Sequence, residues 1–256
     1  MKGFLLLLIG LCSVISSYAD CAVHGLDVFP KQKNIKQNSL FILEGYAWSQ
    51  EIILKLNTIY PIYLESRNEK IKLQVLEVCT GEFKLTQAIL KPETYLKVGL
   101  EYTMRIDGDI PFDKELMRYN RERGEYEPVT YTVLAEKDLI APVLEGQVKE
   151  VKKSFEMYGC GPSVNIIFSN PAKDDSELLV KTTVKSLKTG KKSTYYLQSD
   201  SDEINVGHGM CSGAFQFKEG NNYEVEFVFM DSAGNISDTK VDKIRFTKPK
   251  MELTYF

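Results

Sequence analysis

Histidine is nearly absent from this sequence: His24 and His208 are the only two among 256 residues, and Trp48 is the only tryptophan. The shortage restricts acid–base chemistry, because imidazole is the one side chain whose unperturbed titration falls near neutrality. A Ser–His–acid triad would have to use one of these two. Also missing are a Cys-x-x-Cys pair for zinc, a Gly-x-Ser-x-Gly turn, and a phosphate-cradling glycine loop or dinucleotide-binding fingerprint. After the first residues no segment approaches the about 20 apolar residues of a membrane-spanning helix. Charge of one sign is lacking too. The formal net charge of −3 becomes −4 without Lys2, which gives no basic bias towards nucleic acid or anionic membrane.

What is present is alternation. In Gly220–Asn235 the residues Tyr223, Val225, Phe227 and Phe229 fall on one face of an extended chain, with Glu224 and Glu226 on the other. Successive side chains of a strand point to opposite faces, so this is a strand in a sheet with one solvated side. A looser copy runs through Gly99–Gly108, with Tyr102, Met104 and Ile106 against Thr103 and Arg105. In both copies a glycine precedes the tyrosine with two residues between them. The tyrosines lie about 120 positions apart, the size of a sandwich domain.

Short apolar runs between turn signals fill the rest. Residues 39–44, 51–56, 60–65, 70–78, 83–90 and 129–133 read as strands in the first half, and 164–168, 179–184, 194–197 and 243–246 in the second. In 70–78 the pattern puts Ile71, Leu73 and Val75 on one side. This many short strands predicts an all-β fold of two tandem antiparallel sandwiches, not an α/β fold. The expected division is a leader at 1–19, a first domain at 20–135, a stiff Pro-containing connector at 136–142, a second domain at 143–248, and a tail at 249–256. Pro111 to Pro128 breaks the regular spacing as a hairpin or a short helix. It carries Arg118, Tyr119, Arg121, Arg123 and Tyr126, side-chain types enriched where interfaces concentrate energy, and it is the candidate partner-binding loop. The other reading is a solvated loop.

The N-terminus has the form of a secretory leader. Lys2 supplies positive charge, Phe4 to Leu11 is almost wholly apolar, and Ser17-Tyr18-Ala19 is a small-residue pattern before a cut at Asp20. Asp20 before Cys21 and Leu11 before Cys12 argue against a lipid anchor. Export agrees with the four cysteines left after cleavage, Cys21, Cys79, Cys160 and Cys211. Four cysteines allow three pairings, and the domain division selects Cys21–Cys79 and Cys160–Cys211. Each would close a loop of roughly 50–60 residues, worth about 4 kcal/mol of chain entropy.

Leu96-Lys-Val-Gly99 with Tyr102, Gly220 with Tyr223, and Asp231-Ser-Ala-Gly-Asn-Ile-Ser237 together resemble the Ig-like and fibronectin type III-like domains of bacterial exported proteins. The first half is also similar to the bacterial Ig-like type in Pro30 and Leu90-Lys-Pro92. The resemblance covers most of the mature chain and implies a β-sandwich in which each tyrosine forms a corner. It departs from antibody domains, whose second core cysteine lies two residues after the corner tyrosine; Met104 and Val225 stand there. Such a resemblance implies binding, spacing or assembly, since function belongs to sites and not to the fold.

The remaining chemistry is thin. Gly207-His-Gly-Met-Cys-Ser-Gly213 is the best nucleophile-like segment, with His208, Cys211 and Ser212, but a bonded sulfur is no thiolate, and the segment reads as a structural turn. Asp174-Asp175, Asp200-Ser-Asp-Glu203 and Asp231 offer oxygen ligands for weak calcium binding at Asp200–Glu203, or are solvated loops; calcium needs six to eight oxygens. No catalytic residue, cofactor or resident metal is expected. The expectation is a non-catalytic exported protein, periplasmic, cell-surface or secreted, that binds a protein or glycan partner or serves as an adhesive or structural module. The alternative is a secreted hydrolase, or its accessory protein, acting on carbohydrate or peptide.

Overall fold

A computed structural model describes residues 20–110, 116–135, 137–199 and 202–250. The expected leader at 1–19, with Lys2, Cys12 and its cleavage site, lies outside the described residues. So do Pro111, Asp200 and residues 251–256 of the tail. Among the described residues the chain is all-β apart from one short helix. In the first half the strands are β1 (His24–Phe29), β2 (Asn34–Lys36), β3 (Phe41–Ala47), β4 (Ile62–Glu65), β5 (Lys70–Thr80), β6 (Leu85–Pro92), β7 (Glu101–Ile106), β8 (Met117–Asn120), β9 (Glu125–Pro128) and β10 (Thr130–Ala135). They are followed by β11 (Val143–Leu144), β12 (Glu150–Tyr158), β13 (Gly161–Ser169), β14 (Ala172–Lys173), β15 (Leu178–Ser186), β16 (Lys192–Ser199), β17 (Glu203–His208), β18 (Asn222–Asp231) and β19 (Ile244–Thr247).

Apart from the β8–β9 pair, the first half is one sheet in the order β1-β3-β6-β5-β4-β7-β10-β2, folded on itself; β10 and β2 pair in parallel where only antiparallel pairing was expected. The fold is made by β5. Its Lys70–Lys72 pair with β4, its later residues pair with β6, and a register shift falls between Val75 and Glu77. A bulge of this kind bends a strand and increases its twist. Ile71 and Leu73 join the enclosed core with Phe41, Leu43, Ala88, Leu90, Tyr102 and Tyr131. In the second half β12-β13-β17 faces β16-β15-β18-β19. Between these sheets Phe168 meets Phe227 edge-on at 5.1 Å and Phe246 at 6.1 Å.

Both tyrosine corners form. The Tyr102 hydroxyl accepts the Lys97 N–H at 3.1 Å, and the Tyr223 hydroxyl accepts the Lys218 N–H at 2.7 Å. The donor lies five residues upstream each time. Gly99 and Gly220 turn the chain between donor and tyrosine with φ of 79° and 68°, a conformation that glycine takes without steric cost. Tyr102 also donates to Glu69.

Of residues 51–56, read above as a strand, Glu51 to Leu54 are instead helical: the helix α1 spans Gln50–Leu54. The β-branched pair Ile52-Ile53 favours a strand locally, but packing decides against it. A Cβ at Gly45 of β3 would lie 2.5 Å from the Ser49 carbonyl oxygen and 2.7 Å from the Ile53 side chain. The missing side chain lets one helical turn settle on β3 and bury Ile52 and Ile53.

The two halves share a core. In β3, Phe41 and Leu43 point into the first-half core, while Ile42 packs with residues of the second half; β6 divides Ala88 and Leu90 from Ile89 in the same way. Burial on both faces explains the consecutive apolar residues Phe41 to Leu43 in β3 and Ala88 to Leu90 in β6. The contact has a polar centre. The fully buried Gln87 donates from Nε2 to the Tyr196 carbonyl at 3.1 Å and accepts the Tyr196 N–H at 2.8 Å. Its amide thereby closes the free edge of β16, where unpaired backbone groups would otherwise be exposed. Around it Tyr195 donates to Glu44 at 2.7 Å, Tyr196 to Glu77 at 2.8 Å, and Lys181 pairs with Glu77 at 3.0 Å. Glu82 accepts from Ser193 at 2.7 Å and from Lys191 and the Gln216 N–H at 2.8 Å. The connector is pinned as well. Asn38 exchanges two hydrogen bonds with the Asp138 backbone, and Asn235 donates to the Asp138 carbonyl.

The cysteines correct the expected pairing. Cys21 is bonded to Cys211, 190 positions away, so the bridge joins the two halves where one bridge within each was expected. Cys79 is buried under the second half and carries no disulfide. The register of β5 brings Cys79 to the shared core, whereas the chain before β1 runs beside the Gly209–Gly213 loop.

Candidate functional site

The expected partner-binding segment is a hairpin, β8–β9, paired from Met117↔Pro128 to Asn120↔Glu125. Its turn is specified locally. The Asn120 side chain accepts the N–H groups of Glu122 and Arg123, and Gly124 donates back to the Asn120 carbonyl. At the base Leu116 and Val129 are buried, and the Val129 N–H donates to the Leu116 carbonyl.

Arg118 holds this hairpin to the body. Its guanidinium donates to the carbonyls of Lys31 at 2.6 Å and Pro30 at 2.8 Å, and more weakly to Val28 and the Tyr131 hydroxyl. On the other strand Glu127 pairs with Lys33 at 2.6 Å, and that ammonium holds its carboxyl below the usual range. The remaining candidates face solvent. Tyr119 and Tyr126 are direct cross-strand partners with ring centroids 5.2 Å apart and exposures of 50% and 68%. Arg121 and Arg123 lie exposed in the turn beyond them. The five sequence candidates therefore divide into an anchor, Arg118, and a projecting set of two aromatic rings with two cations. The anchoring role of Arg118 has no sequence signal, because its acceptors are backbone carbonyls about 90 positions away.

The nucleophile-like segment is structural in geometry. His208 ends β17, and its Nδ1 donates to the Gly209 carbonyl at 2.9 Å in the tautomer that a carbonyl acceptor requires. Its ring packs edge-on against Phe83 at 5.6 Å. The loop carrying Ser212 is closed by a Gly209 N–H bond to the Ser212 carbonyl and by Gly213 exchanging hydrogen bonds with Phe83 of the first half. Cys211 is in the disulfide. His24 lies in β1 opposite Ala47, at the edge of its sheet.

Of the expected calcium segment Asp200 and Ser201 lie outside the described residues, and among the described residues the acids converge elsewhere. Asp202 pairs with Lys173 at 3.0 Å, and Glu203 opens β17. Carboxylates of Asp138, Asp174 and Asp231 approach within 4.8 Å of one another. These oxygens serve turns. Asp231 accepts the N–H groups of Ala233 and Asn235 and the Asn235 side chain at 2.6 Å, and Asp174 accepts the Ser176 N–H and hydroxyl. Burial, against the pull of those donors, raises the Asp231 carboxyl above the ordinary aspartate range.

No family model matches the chain, and no curated protein matches it in sequence. Among solved structures it is similar to a type I pullulanase of Bacillus subtilis complexed with maltose, at 10% identity over 89% of this chain and 25% of that one, TM-score 0.26. It is similar to a pullulanase of an Anoxybacillus species complexed with maltotriose, at 8% identity over 79% of this chain and 24% of that one, TM-score 0.24. A third likeness is the adhesin InvE of Yersinia pseudotuberculosis, at 11% identity over 88% of this chain and 58% of that one, TM-score 0.22. The chain thus spans about a quarter of the length of these pullulanases. Likenesses at these scores carry no argument about activity, and the all-β architecture rests on the strands described above.

Proposed function

We propose that this chain is a non-catalytic exported protein, two tandem Ig-like or fibronectin type III-like sandwiches behind a signal peptide, that binds a protein partner through the β8–β9 hairpin. The observation that carries the reading is the exposed Tyr119–Tyr126 pair on a hairpin fixed at its base. Aromatic side chains offer large contact area at low conformational cost, and arginines beside them add charge-assisted hydrogen bonds. A hairpin anchored by Arg118 and Glu127 loses less freedom on binding than a loose loop would. The three-on-four arrangement of sheets around the second tyrosine corner supports the sandwich assignment. Export is supported by the Cys21–Cys211 disulfide, because such bonds persist in oxidising compartments. The non-catalytic reading draws on the structural uses of His208 and Cys211.

The test places a photo-crosslinking residue at Arg121 in the mature protein, exposes it to a library of extracytoplasmic proteins, and screens a glycan array in parallel. The expected result is one protein species cross-linked from position 121, with Tyr119→Ser/Tyr126→Ser lowering its affinity at least tenfold at unchanged melting temperature. Equal capture by the double variant, or binding confined to glycans, would refute the protein-docking role of the hairpin.

A further inference from the structure

Three sulfurs meet beside the Gly209–Gly213 loop. The Sγ atoms of Cys21, Cys160 and Cys211 all lie within 4.8 Å of one another, and Cys160 is outside the Cys21–Cys211 bond. The fold enforces this meeting from two directions. Cys160 sits in the turn between β12 and β13, and β13 pairs with β17 through Val164↔His208, which brings that turn against the loop carrying Cys211. A Cβ at Gly161 would meet the Met210 carbonyl oxygen at 3.5 Å. From the first half, the Trp48 N–H donates to the Val23 carbonyl, fixing the chain that follows Cys21. The Tyr46 hydroxyl is buried without a hydrogen-bond partner. Burial, and then the charges of Asp20 and Cys160, raise its pKa.

We propose that this cluster is a thiol–disulfide exchange site in which Cys160 is the internal nucleophile and Cys21 the leaving group. Cys160 first loses its proton to solvent. Its thiolate attacks Sγ of Cys211, the Cys160–Cys211 bond forms, and the Cys21–Cys211 bond breaks. The electron pair leaves on Sγ of Cys21, which takes a proton from water. One thiol and one disulfide stand on each side, so neither oxidant nor reductant is consumed. The product bond lies wholly within the second half. Exchange therefore releases the covalent tie between the halves and delivers a thiol at Cys21, near the start of the described chain. That thiol, once ionised, can attack a disulfide of a partner, forming a mixed disulfide while the partner's second sulfur leaves as a thiol. Cys79 is a bystander: burial, reinforced by Glu77, pushes its thiol up to about 12.

The test uses the folded mature protein purified under oxidising conditions and held at about pH 8, since exchange proceeds through a thiolate. Thiols are then quenched with acid, alkylated, and mapped as non-reduced peptides. The expected result is two populations, alkylated Cys160 with Cys21–Cys211 and alkylated Cys21 with Cys160–Cys211, whose ratio stops changing with time. The Cys160→Ser variant is expected to hold only Cys21–Cys211 and never to expose Cys21. A Cys21→Ser variant, folded by circular dichroism, is expected to form Cys160–Cys211 under glutathione disulfide. A single bond that persists unchanged at pH 8 in the wild-type protein overturns the proposal. So does a folded Cys21→Ser protein in which Cys160 and Cys211 both stay alkylatable.

Discussion

Replacing Gln87 by leucine should separate the polar contribution of the contact between the halves from its packing contribution. The substitution nearly keeps the side-chain volume and removes both hydrogen bonds to Tyr196. Gln87 is fully buried, and the Tyr196 N–H and carbonyl that it serves face away from β15, the only strand neighbour of β16 in its sheet. Each group left without a partner in a dry contact costs about 1–3 kcal/mol, so for the two groups the expected loss is about 2–6 kcal/mol. That is a large fraction of the about 5–15 kcal/mol that holds a typical domain together. Gln87→Ala should cost a further ~1 kcal/mol or more for the cavity. Urea unfolding followed by far-ultraviolet circular dichroism and tyrosine fluorescence reads the loss as a shift in midpoint. If the halves depend on this contact, the variant should also split one transition into two. A Gln87→Leu protein within about 0.5 kcal/mol of wild type, still unfolding in one step, would refute the reasoning that an amide closing an exposed strand edge holds the halves together.

Two further expectations follow from the geometry. Tyr223→Phe leaves the Lys218 N–H without its acceptor and should cost about 1 kcal/mol in urea unfolding, whereas Tyr102→Phe should cost more, because the Glu69 carboxylate loses a donor as well. The contact between the halves should also respond to pH in two opposed ways. At Glu82 burial raises the pKa but is outweighed by Lys191, the Gln216 N–H and Ser193, so the net shift is downward; its stabilisation is present above the unfolded carboxylate pKa and is lost as pH falls through the lower folded value. At Glu44 burial dominates the Tyr195 hydrogen bond and the folded pKa is raised; its native state holds the proton longer, and stability declines as pH rises from the unfolded to the folded value. In thermal melts from about pH 2 to pH 8, Glu82→Gln should therefore lose ground to wild type as pH rises towards the unfolded carboxylate value, and Glu44→Gln should gain ground as pH rises above it. Parallel curves for the two variants would contradict the assignment.

Much of the fold was legible in local pattern. The two tyrosine strands, the alternation of β5 up to Val75, and the strands β13, β15 and β19 all announce themselves by period and turn residues. The tyrosine corners were legible in detail because every participant lies within a few positions along the chain. β12 and β17 were not read in advance: β12 is a run of exposed, charged residues on its sheet's edge, and β17 alternates across a segment that looked acidic and loop-like. The candidate hairpin was found by residue type, yet the division between Arg118 as anchor and the Tyr119–Tyr126 pair as surface depended on carbonyls supplied by the chain around Pro30.

The sequence by itself determined that this protein is built mainly from short strands and that each half carries a tyrosine corner, because those features depend on neighbours along the chain; the parallel pairing of β10 with β2 does not. Only the tertiary structure decided that residues 50–54 coil against Gly45, that β3 and β6 are buried on both faces, and that Cys21 meets Cys211 with Cys160 alongside. Each of these outcomes is a contact between surfaces distant in sequence. No local propensity encodes which surfaces meet, and the burial gained when they do is large enough to override the local preference.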